Sequence, residues 1–134
     1  SKAIGMEFMA NRFIKEDNLE EFNKLLNSRL KIKLNLGVSL VRFVSYMLSS
    51  NAVIIIKKAN FLDSSFIKNL DQMKGNSSQF IKFHIPMSKE ETMIEFFKKI
   101  KFRDQSKIEE ALKQSIKLKK VKLTKYLESL KKTK

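Results

Sequence analysis

Hydrophobic and polar positions change rhythm several times along this chain. Residues 1–16 are ambiguous: Ile4, Met6 and Phe8 alternate as in a strand, whereas Met9, Phe13 and Ile14 suit a helix. Leu19, Phe22, Leu25 and Leu26 then recur at helical spacing. They follow Asp17-Asn18-Leu19-Glu20, a capping-box pattern that predicts a helix over about 18–27. The period next drops to two. Leu30, Ile32, Leu34 and Leu36 alternate with Lys31, Lys33 and Asn35, as in a strand with one buried face.

Gly37 breaks that strand. Val38, Val41, Val44 and Leu48 form a helical stripe that ends near Ser49-Ser50-Asn51. Val53–Ile56 is apolar on both faces and β-branched, the pattern of an interior parallel strand. Asp63 as N-cap and Gly75 as terminator bracket a helix with Phe66, Ile67, Leu70 and Met73 inward. Phe80–Ile85 reads as another strand, with Ile81, Phe83 and Ile85 on one side and His84 half-exposed on the other; Pro86 closes it. Capping boxes at Ser88-Lys89-Glu90-Glu91 and Ser106-Lys107-Ile108-Glu109 open two more helices. Between them, near Phe102, a short strand completes the alternation. Strands alternating with helices predict an α/β fold with parallel neighbouring strands joined by right-handed crossovers. No internal repeat is visible. The layout is a domain over 1–116 and a basic helical extension over 117–134.

Charge changes the picture most. Among 134 residues, 28 Lys and Arg face 14 Asp and Glu, a net charge of +14. Residues 117–134 hold eight lysines and one acid, Glu128, while Leu123, Tyr126, Leu127 and Leu130 still make a helical stripe. The bland reading packs that stripe on the domain. Alternatives are an acidic protein surface, an anionic membrane, or nucleic-acid phosphates met by Lys117, Lys119, Lys120, Lys122 and Lys125. Ser106 to Lys132 also draws as two helices across a turn, although Lys117–Lys120 lacks a turn glycine.

Candidate chemistry is sparse. With no cysteine, disulfides, Cys-ligated zinc and thiol nucleophiles are excluded, and the single histidine, His84, leaves no metal cage. Glu20-Glu21, Glu90-Glu91 and Glu109-Glu110 all fall in first helical turns, where they complement the helix dipole. No catalytic set, metal site or cofactor is expected. The longest apolar run, Ala52–Ile56, is far too short to span a membrane, and the expected location is cytoplasmic.

One stretch carries a family likeness. Strand Val53–Ile56 leads into Asn60-Phe61-Leu62-Asp63-Ser64-Ser65-Phe66-Ile67, and Ile81–Ile85, Glu90–Ile100, Phe102 and Glu109-Glu110-Ala111-Leu112 follow in order. Over residues 29–116 this resembles the STAS family, the sulfate-transporter and anti-sigma-factor-antagonist domain, with Phe66 standing where the family has Gly. The resemblance implies a small mixed sheet covered by helices, and a non-enzymatic module that binds another protein, a kinase-like anti-sigma factor. It implies phosphorylation at Ser64 as the switch, and contact through Asn60, Asp63, Ser64, Ser65 and Phe66.

Overall fold

The computed structural model describes residues 2–26, 38–73 and 76–132, with side chains from 8–25, 40–73 and 76–132. Among the described residues there are nine helices and no strand. They are α1 (Lys2–Lys15), α2 (Leu19–Leu26), α3 (Val38–Ser49), α4 (Val53–Lys58), α5 (Ser65–Gln72), α6 (Ser77–Met87), α7 (Glu90–Lys99), α8 (Gln105–Lys117) and α9 (Val121–Leu130).

Four of these helices end in the same way. Asp17, Asn51, Lys101 and Lys119 each have positive φ, between 50° and 59°. Around each runs the pair of backbone bonds that defines a Schellman turn, such as Asp17 N–H to the Ile14 carbonyl and Asn18 N–H to that of Phe13. Three of the turns join helices across three residues: α1 to α2, α3 to α4, and α8 to α9. Asn51 lies 34 positions after Asp17, and Lys119 lies 68 after Asn51, twice the interval. Helix-pair arrays repeat at about 33–34 residues, so the spacing marks a repeat of structure that side-chain identity conceals.

The packing also runs pair by pair. First helices contact one another in series, α1 on α3, α3 on α6 and α6 on α8. Second helices do likewise, α2 on α4, α4 on α7 and α7 on α9. The fold is therefore a two-layer stack of four helix pairs, α1/α2, α3/α4, α6/α7 and α8/α9, with α5 packed on α6 between the second and third pairs. Neighbouring pairs are tied by side chains that bond free helix ends. The Asp17 carboxylate accepts from Ile54 and Ile55 N–H at 3.0 Å each, at the start of α4. Asn51 Oδ1 accepts from Lys89 N–H at 2.7 Å and from the Thr92 hydroxyl at 2.8 Å, at the start of α7. Glu90 in turn accepts from Leu123 N–H at 2.8 Å, in the first turn of α9.

This architecture overturns the α/β expectation, and the physical reasons are local. Val53–Ile56 is not a buried strand but the body of α4, because Asp17 and the Asn51 turn supply acceptors for its first N–H groups. Ile55 and Ile56 are buried and Ile54 is 51% exposed, a helical division of one apolar run. Phe80–Ile85 lies inside α6. The buried set is Ser77, Ile81, His84, Ile85 and Ser88, which follows a helical period, so Phe83 turns outward and His84 inward. Residues 102–104 form no strand; Phe102 stacks on Phe97 with centroids 4.6 Å apart and anchors the α7–α8 connection. The predicted strand from Leu30 to Leu36 and the glycine stop at Gly75 lie outside the described residues. With no sheet among the described residues to carry it, the STAS likeness and the anti-sigma-antagonist role drawn from it are set aside.

The capping boxes also move by a few residues. Asn18, not Asp17, caps α2 by accepting from Glu21 N–H at 3.2 Å. Ser88 donates its hydroxyl to the Leu48 carbonyl inside the core. Asp104, not Ser106, caps α8 and accepts from Ser106 and Lys107 N–H; those bonds, the Ser106 hydroxyl first, hold its carboxyl below the usual carboxylate range. The lysine-rich segment is the last helix of the stack. Leu123 and Leu127 are fully buried against α7 and α8.

Candidate partner-binding face

The layer of first helices is grooved on both sides of α6, and a proline decides how. Asn76 caps α6 by accepting from Ser78 N–H at 2.8 Å. Pro86, near its C-terminus, has no N–H to give to the Lys82 carbonyl four residues back. Gln114 of α8 supplies the missing donor, its Nε2 lying 2.7 Å from the Lys82 oxygen. Lys120, after α8, caps the end of α6: its ammonium donates to the Ile85 and Ser88 carbonyls at 2.6 and 2.8 Å. These bonds hold α6 and α8 parallel.

Between them lies a groove of about 580 Å³. Ile81 and Ala111 form its floor, Pro86 and Leu118 its end, and Lys82, Lys113 and Lys117 stand on its walls. Glu110 is the one acid lining it. Lys107 also reaches it, but its charge is engaged by Asp71 at 3.5 Å and Asp104 at 3.3 Å. Phe83 and Met87, one helical turn apart on α6, are each 60% exposed.

A second groove of about 370 Å³ lies between α3 and α6, lined by Val41, Ser45, Phe80, Phe83 and His84 among others. His84 Nε2 is 2.9 Å from the Ser45 hydroxyl and joins the two helices. Its ring sits 4.6 Å from that of Phe80 and 5.0 Å from that of Phe83, and Nδ1 is buried without a hydrogen-bond partner among the described residues. Burial pushes the imidazole down to about 4, so it is neutral near pH 7. A serine and a histidine meet here, but among the described residues no carboxylate orients the ring.

The residues singled out from the sequence fall in three places. Asp63 accepts from the Ser65 N–H and hydroxyl at 2.9 and 2.6 Å and opens α5; those bonds, the hydroxyl first, lower its carboxyl. Asn60, Asp63, Ser64 and Ser65 are exposed, and Ser64 borders a shallow groove of about 440 Å³ with Lys68, Lys101 and Arg103. Phe66 is instead a core residue, 2% exposed, edge-on to Phe80 and Phe96 at 5.6 and 5.8 Å. The tail lysines do not share a face. Lys117 lines the α6–α8 groove, Lys119 sits in the left-handed turn, Lys120 caps α6, Lys122 pairs with Glu91 at 3.1 Å, and Lys125 projects from α9.

Phe83, Met87, Lys82, Lys113 and Gln114 were not foreseen as a surface. Their signal was present, since Phe83/Met87 and Lys113/Lys117 are i, i+4 pairs, but a period of two placed Phe83 indoors. Among the described residues no cluster of His, Asp and Glu is arranged to hold a metal, and no helix is long and apolar enough to cross a membrane. No family model, curated protein or solved structure matches this chain.

Proposed function

We propose that this chain is a non-catalytic regulatory module that binds another protein through the α3–α6–α8 face. The observation that supports this most is the pair of grooves flanking α6, with Phe83 lining the α3–α6 groove and Met87, one turn further along, equally exposed. Large apolar side chains beside a groove are what a partner's side chains bury on docking. Stacked helix pairs suit the task, because each pair adds one ridge and one groove to an extended surface. Nucleic-acid binding by the tail lysines has less support, since Lys120 and Lys122 already serve intramolecular contacts.

Selection of a random dodecapeptide display library on the immobilised full chain tests the reading. Enriched peptides should lose binding to a Phe83→Asp/Met87→Asp variant while its thermal melt stays that of the parent. Enrichment that ignores those two substitutions removes the face from consideration.

A further inference from the structure

Resting on that partner-binding reading, we propose that the α6–α8 groove takes an acidic segment of a partner protein that also carries bulky apolar side chains. Cations stand on both walls. Lys82 is on α6, and Lys113 and Lys117 are one turn apart on α8. None of the three is in an ion pair among the described residues, whereas Lys24, Lys98, Lys107, Lys122 and Lys131 all are. The walls therefore hold three uncompensated ammonium groups against the carboxylate of Glu110. A chain laid between them meets positive potential from both sides, which favours carboxylates and disfavours basic segments.

The floor selects differently. Ile81 and Ala111 offer aliphatic surface, and Pro86 and Leu118, the latter 40% exposed, close one end with apolar groups. Leucine, isoleucine or phenylalanine side chains of the partner would bury there, and the lysines would pair with the acids between them. α6, with 11 residues, is about 16 Å long, room for about five residues of extended chain. A nucleic acid fits this chemistry less well. Among the described residues no arginine lines the groove to fork onto phosphate, and the lining groups of the floor are aliphatic, not stacking aromatics.

The peptides recovered by selection on the full chain decide the matter, with fluorescence anisotropy of labelled copies as the readout. Groove-dependent peptides should be net acidic with interspersed large apolar residues. They should bind about tenfold or more weakly to a Lys82→Glu/Lys113→Glu/Lys117→Glu variant, and to a lesser degree to the corresponding Gln variant. All three positions are on solvent-facing walls, and the helical circular-dichroism melt of each variant confirms the fold before binding is compared. Groove-dependent peptides that are neutral or basic, or that ignore the triple substitution, overturn the acidic assignment and leave the partner-binding reading intact. A single-stranded oligonucleotide that binds more tightly than the peptides and is lost in the triple variant also overturns it, in favour of nucleic acid. Failure to recover any groove-dependent peptide removes both.

Discussion

The two layers of the stack are made of similar helices yet treat their surfaces in opposite ways. In the layer of second helices, α7 lies between α4 and α9 and buries Thr92, Met93, Phe96 and Phe97. Its polar first turn is consumed internally: Glu90 bonds the Leu123 N–H of α9, and Glu91 pairs with Lys122. In the layer of first helices, α6 lies between α3 and α8, but its flanks carry Ser78, Gln79 and Lys82, and grooves remain on both sides. Flanking residues set this difference. Bulky apolar flanks interdigitate and close a helix–helix seam; polar or short ones leave it open to solvent and to partners.

Truncating one phenylalanine from each layer gives the sharpest contrast. Phe96→Ala should cost about 3–5 kcal/mol in urea unfolding, since the ring is fully buried among Phe66, Phe80 and Phe97. Phe83→Ala should stay within about 0.5 kcal/mol and affect binding alone. Equal losses at the two positions would mean that the first layer is as closed as the second.

Acid should weaken the first layer next. The folded imidazole of His84 titrates at about 4, below its ordinary value of 6.5, so the unfolded chain binds the extra proton. Its contribution is fully present above about pH 6.5 and is lost as pH falls toward 4, by about 3 kcal/mol in all. Below that window the lowered carboxyls of Asp63 and Asp104 begin to add their own losses. Urea midpoints from pH 7 to pH 4 should fall for the parent and fall much less for His84→Gln. Parallel curves would show that the α3–α6 seam admits the charged ring.

The smallest effect concerns the proline. Gln114→Leu removes the donor that satisfies the Lys82 carbonyl and should cost about 1–2 kcal/mol, with faster amide exchange confined to the C-terminal half of α6. Exchange that spreads evenly over α7 and α9 would contradict a separate, looser first layer.

Helix positions were legible where an amphipathic stripe ran long enough. Leu19–Leu26, Val38–Ser49, Glu90–Lys99 and Gln105–Lys117 all lie within a residue or two of the expected spans. The short apolar runs misled. Four β-branched residues at Val53–Ile56 satisfy a strand and one turn of helix equally, and Phe80–Ile85 fits both periods until Ser77 and Ser88 are counted as buried. The capping signals were misread for a related reason: Asp17 and Asn51 bond helices that begin more than 30 positions later, which no local pattern announces. Of the α6–α8 groove, the sequence points to Lys117 alone; of the α3–α6 groove, it points to His84 and the helix over 38–50.

The sequence alone determined the charge, the absence of thiol chemistry and most of the helical stripes, because these depend on composition and on neighbours within a turn or two. Tertiary structure alone decided that the ambiguous segments became helices and that they stack in successive pairs. It also decided that Lys82, Lys113, Lys117 and Pro86 line one groove and that Phe83 lines the other. Those outcomes depend on which distant groups satisfy a helix end or cover an apolar flank, and such partners are chosen only when the pairs stack.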